Sequence, residues 1–168
     1  MFKELNGCFA PTLVYYTTVS STNRVRGMST PYRLGKRAEY ELIKKLVRAG
    51  YAVMRAPASG AKAKKVFYPD VMAVKYKDGK YRVLIFEVKM RSRKIPIYIA
   101  GPKIWMLRDY ARRSGGEAYV AVKIQPEKRW YVFPIEQLQE QKWEKGIRYV
   151  ITVGMFEKAL SLSDVIKM

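Results

Sequence analysis

Across 168 residues, 49% hydrophobic and 13% aromatic content supports one folded domain with a sizeable core and excludes a disordered polymer. Thirty-three Lys and Arg against 14 Asp and Glu leave a net charge of +19, which asks for a polyanionic partner, nucleic acid before an anionic membrane surface. No histidine and one cysteine, Cys8, exclude His-based triads and Cys/His zinc sites, so any catalysis rests on carboxylates, lysines, hydroxyls or a metal.

Residues 1–27 differ from the rest. They carry Lys3, Arg24 and Arg26 against Glu4, a net +2, and a Ser/Thr-rich run over 17–22 that reads as a linker. They lack the pattern of a secretory signal. They are expected to be an appendage, either an over-long start or an arm that adds a strand at 11–17. The domain itself is expected to span 28–168. No run of about 20 apolar residues could span a bilayer and no basic amphipathic anchor is visible, so no membrane partner is expected. A basic, disulfide-free chain fits the cytoplasm, on the nucleoid.

From Gly35 to Ala49 the spacing is helical, with a stripe of Leu42, Ile43, Leu46 and Val47 ended by Gly50. "YAVMRA" (51–56) reads as a strand and 57–69 as a loop. "VMAVKY" and "YRVLIFEVK" read as strands around Asp78-Gly79. A helix is predicted at 101–113, ended by a Gly pair, and strands at 117–124 and 129–135. Residues 135–143 are assigned a short helix, 147–152 a short strand, and 155–167 a terminal helix or loop. The order is that of an α/β domain with a mixed central sheet flanked by helices.

The Asp78-Gly79 turn fixes a register. Lys77 then faces Lys80, and continuing the count puts Asp70 opposite Glu87, with Cβ atoms about 5 Å apart. Two bare carboxylates there repel, and a hard divalent cation relieves them. Lys89 lies two residues beyond Glu87, so it shares the same face. The other reading is that Asp70 is a turn residue after Pro69, in a strand-end ion pair. On the first helix Glu39 precedes Leu42, Ile43 and Leu46 by three, four and seven residues, which puts it on the core side, in need of a partner or a metal. Glu41 falls among Arg37, Lys44, Lys45 and Arg48 and is expected on the solvated face. Arg55, Lys62, Lys64, Lys65, Arg91, Arg93 and Lys94 crowd both sides of the carboxylates and are candidate phosphate contacts.

"PD" at 69–70 followed by "EVK" at 87–89 resembles the PD-(D/E)-x-K nuclease signature. With its flanks, "GKRAEYELIKKLVRAGYAVMRAPASGAKAKKVFYPDVMA" and "LIFEVKMRSRKIPIYI", the chain resembles the archaeal Holliday junction resolvase family over about residues 33–135. The resemblance implies a restriction-endonuclease-like fold. It also implies a homodimer that nicks four-way DNA junctions with Mg²⁺, for which Mn²⁺ substitutes, at one or two ions per site. By motif position Glu39, Asp70 and Glu87 resemble the family's metal carboxylates, Lys89 its catalytic lysine and Ser59 its sensitive loop serine. Ile97, Tyr98, Ile99, Trp105, Trp130 and Tyr131 are divided between monomer core and dimer interface, most going to the core. The alternatives are another restriction-like repair endonuclease and a non-catalytic basic nucleic-acid-binding protein. No small-molecule substrate is indicated.

Overall fold

The computed structural model describes residues 31–56, 68–127 and 129–167. Helix α1 runs from Pro31 to Arg48 because Ala38, Leu42 and Leu46, one turn apart, are each sealed in the core. Ile43 is only partly buried and Val47 is exposed, so the buried stripe is narrower than the predicted one. Strand β1 (Ala52–Arg55) follows, then β2 (Val71–Lys77) and β3 (Lys80–Arg91). Asp78 and Gly79 both take positive φ, 51° and 78°, the backbone of a two-residue hairpin turn. The expected register holds from Lys77↔Lys80 to Val71↔Phe86.

After β3 the chain makes β4 (Ile97–Ala100), helix α2 (Gly101–Ser114), β5 (Glu117–Ile124) and β6 (Trp130–Pro134). β3 and β5 pair in parallel, and α2 is part of the crossover that such pairing requires. The region 135–143, expected as a helix, is instead a single 3-10 turn at Ile135–Gln137 followed by β7 (Gln139–Trp143). β7 pairs only with β8 (Gly146–Ile151), and its polar, mostly exposed edge carries no apolar alternation to announce it. β4 was also absent from the sequence reading. It is four residues long and runs straight into α2. A two-residue β9 (Leu160–Ser161) and α3 (Leu162–Lys167) close the chain.

The main sheet has the order β1-β2-β3-β5-β6-β9, and β4-β8-β7 form a small second sheet. Each face of the main sheet buries its own core. Alternation along β3 sends Leu84 and Phe86 to the α1 side, with Ala38, Leu42, Leu46 and α3 residues Leu162 and Val165. Ile85 goes to the other side, with Ile104 and Leu107 of α2 and Ile97, Ile99 and Ile151 of the small sheet. Glu87 follows Ile85 by two residues, so the fold sends its carboxylate into the α2 side. Of the six residues divided between core and interface, Ile97, Ile99, Trp130 and Tyr131 are buried, while Tyr98 and Trp105 are about half exposed. No helix among the described residues is long and apolar enough to cross a membrane.

Candidate active site

Glu87 is 2% exposed in the middle of a sheet, where a lone carboxylate is costly. Two ammonium groups offset that cost. Lys89, one strand repeat further on, donates to Oε1 at 2.6 Å, and Lys103 from the first turn of α2 stands 2.9 Å from Oε2. The Oε2 contact is an ion pair without hydrogen-bond geometry, leaving a buried oxygen that accepts no hydrogen bond.

Asp70 sits one step before β2, behind buried Pro69; the ladder ends at Val71↔Phe86, one step short of it, and Asp70 lies in the field of Glu87. Its Oδ2 accepts the Val88 amide at 2.7 Å, and its carbonyl accepts the Ala56 amide at 3.1 Å, so the side chain is held in place. Burial first, and then the charge of Glu87, push the Asp70 carboxyl up to about 6, against the Val88 N–H and the lysines at 103 and 89. Two neighbouring carboxylates, with one buried oxygen that accepts no hydrogen bond and meets Lys103 through charge alone, are a donor set that suits a hard divalent cation.

Glu39 lies elsewhere. Its Oε2 accepts from Arg55 Nε at 2.6 Å, both side chains being partly buried. Arg55 faces Val71 in the β1–β2 ladder, and Val71 packs into the α1-side core. The Glu39–Arg55 pair therefore belongs to the α1 side of the sheet, and Arg55 also stacks 5.3 Å from the Tyr40 ring. Among the described residues no three acidic or cysteine side chains gather closely enough to hold one ion.

Glu41 is 39% exposed, in keeping with its place among basic residues, yet it is also tied to the sheet. Its Oε1 accepts from Trp130 Nε1 at 3.1 Å and pairs with Lys123 Nζ at 3.1 Å. Burial alone would raise its carboxyl, but the bonds from Lys123 and Trp130 win, and it stands below the ordinary value. The sequence reading missed these partners because they come from β5 and β6, more than 80 residues away in the chain.

Of the candidate phosphate contacts, Arg55 is committed to Glu39. Arg91, at the end of β3, lines a surface cleft with Lys89, Val88, Met90, Leu34 and Gly35. Arg93 is exposed, and Lys94 stands over the Tyr131 ring and pairs with Glu127 at 3.5 Å. Ser59, Lys62, Lys64 and Lys65 lie outside the described residues. Lys103 is the residue that sequence reasoning passed over. Its one available signal was its place four residues before Leu107, on the flank of α2's buried stripe.

Known proteins share this arrangement of chain and fold. The sequence profile of the archaeal Holliday junction resolvases matches residues 30–168. The crossover junction endodeoxyribonuclease Hjc of Sulfurisphaera tokodaii is 34% identical over 133 residues, 79% of this chain and 85% of that protein. Its counterpart from Archaeoglobus fulgidus is 34% identical over 132 residues, covering 78% and 88%. The solved structure of the Archaeoglobus fulgidus Holliday junction resolvase Hjc superposes with a TM-score of 0.63 at 30% identity, over 79% of this chain and 95% of that one. The mixed sheet flanked by helices is thus a restriction-endonuclease-like fold, and the chain belongs to the archaeal Holliday junction resolvase family.

Proposed function

We propose that the protein resolves four-way DNA junctions by hydrolysing one phosphodiester in each of two opposed strands. The observation that carries this reading is Asp70, just before β2, lying in the field of Glu87 on β3, with Lys89 bound to Glu87, in a chain of net charge +19. Asp70 and Glu87 would hold Mg²⁺, or Mn²⁺ in its place, while Glu39 stays paired with Arg55 on the α1 side. Such a cation supplies Lewis acidity and charge neutralisation to phosphodiester hydrolysis. The residues do the rest. Asp70, fixed by the Val88 amide, gives the site a constant geometry. The Lys89 ammonium stabilises negative charge as it grows on the phosphoryl oxygens. Glu87 keeps that ammonium in place. Ser59 is assigned a bond to a scissile-strand phosphate. Arg55, Lys62, Lys64, Lys65, Arg91, Arg93 and Lys94 are assigned to backbone contacts, which give affinity that falls with salt and specificity by shape.

Two nicks in a junction of near two-fold symmetry ask for two sites, so a C₂ homodimer is part of the proposal. Of the six residues divided between core and interface, exposed Tyr98 and Trp105 are the two left for that interface. Residues 28–168 would form the nuclease domain, with 1–27 an appendage, working on the nucleoid in the cytoplasm.

The test is incubation with a synthetic four-way junction and a matched duplex, with and without Mg²⁺. Paired symmetric nicks confined to the junction are expected. Equal cutting of the duplex, or binding without any metal-dependent cleavage, would overturn the assignment.

A further inference from the structure

The site holds one group that the proposed chemistry does not use. Lys103 reaches Glu87 from a different element than Lys89 does, and in a different way. Lys89 sits on the same strand and makes a directed hydrogen bond to Oε1. Lys103 faces Oε2 at 2.9 Å through charge alone. The helix that carries it is fixed. A Cβ at Gly101 would lie 2.7 Å from the Ile147 carbonyl oxygen, so only glycine lets α2 start against β8, and Ile104 and Leu107 behind it are fully buried. The backbone at 103 is therefore rigid, while the ammonium rides on a flexible four-carbon stem and its side chain is 31% exposed.

Counting formal charges gives the consequence. Asp70 and Glu87 carry two negative charges, and Lys89 and Lys103 carry two positive ones. The pocket is neutral before any divalent ion arrives, and the Lys103 ammonium already stands against buried Oε2, where an ion would meet its like charge. We propose that Lys103 is a positioning residue, the resident counter-ion of Glu87, which a divalent cation must displace from Oε2. It keeps the buried carboxylate aimed in the metal-free enzyme, at the cost of weaker metal binding. This rests on the reading of Glu87 as a metal ligand.

The experiment is a titration of the free protein with Mn²⁺ alone, without DNA, followed by electron paramagnetic resonance. Lys103→Met should bind Mn²⁺ at least about tenfold more tightly than the parent, since a unit positive charge leaves the ion's immediate surroundings. Lys103→Gln should move the same way, and Lys103→Arg should stay within about twofold. A lysine that merely props up the fold would not tighten metal binding when removed. Unchanged or weaker binding in both neutral variants overturns the inference. Glu87→Gln separates the two failures. If it binds Mn²⁺ like the parent, the metal is not on Glu87 and the functional reading fails with it. If it loses binding while the Lys103 variants are unchanged, only the role of Lys103 falls.

Discussion

Two places in this molecule set a carboxylate against a lysine on the central sheet, and they treat it in opposite ways. At Glu41 one acid meets Lys123 and the Trp130 indole N–H, and its carboxyl is held below the ordinary range. Across the hairpin a second acid stands opposite the first, and Asp70 is pushed up to about 6. Both places contain lysines, so charge content does not separate them. The difference is that Glu41 finds its donors, whereas Asp70 and Glu87 each lie in the other's field with Glu87 Oε2 accepting no hydrogen bond. A cluster whose hydrogen bonding the protein leaves incomplete is one that a ligand can complete. The Glu41 cluster is complete already and fastens α1 to β5 and β6.

The largest expected effect tests that distinction in activity. Asp70→Asn keeps the shape and can still accept the Val88 amide, but removes a charge from the proposed metal site. Junction cleavage should fall by about 10³-fold or more. Glu41→Gln should leave cleavage within about threefold of the parent. Gel assays on a four-way junction at saturating Mg²⁺ read both. Comparable losses in the two variants would mean that the complete and incomplete clusters do not differ in kind.

Stability should move the other way. In metal-free buffer Asp70→Asn should stabilise the protein above pH 6 by about 1–3 kcal/mol, because a shift of roughly two units is worth that much after allowance for partial solvation. The folded carboxyl titrates higher than the unfolded one, so ionised Asp70 opposes folding. That penalty is absent below the ordinary 3.8, grows as pH rises through about 6, and is constant above. The stabilisation by Asn should therefore vanish near pH 3.8, as followed by urea unfolding across pH. A variant less stable than the parent at pH 8 would show that Asp70 is held by favourable contacts after all.

How much of this was legible in the sequence depended on how local its causes are. Asp78-Gly79 is a local signal, and it fixed the β2–β3 register from which the pairing of Asp70 with Glu87 followed by counting. Lys89 was legible for the same reason, being one strand repeat from Glu87. Lys103 was not. It is brought to Glu87 by the packing of α2 across the sheet, and nothing in "AGPKIWMLRDY" says which strand that helix will cover. Helical spacing shows Glu39 as an acid in need of a partner or a metal, and the partner it finds is Arg55, a candidate phosphate contact by sequence. Glu41 is partly solvated, as helical spacing among the basic residues of α1 places it, but its partners were not legible. The side chains that pair with it arrive from strands whose position no α1 residue encodes.

The smallest effect sharpens the other half of the comparison. Glu41→Gln should cost about 1 kcal/mol near neutral pH, since Gln can still accept from Trp130 but leaves Lys123, only 7% exposed, without its carboxylate. Its sign in pH is opposite to that of Asp70. The folded carboxyl of Glu41 titrates below the ordinary 4.5, so ionised Glu41 favours folding above that value, and the contribution is lost as pH falls through the lower folded value. Parent and variant should therefore differ most at neutral pH and converge in acid, while the Asp70→Asn difference converges over nearly the same range from the other side. Melting curves of the two variants between pH 3 and pH 8 would then bracket the parent. Both curves lying on one side of it would remove the distinction between an acid that the fold satisfies and an acid that it holds for a ligand.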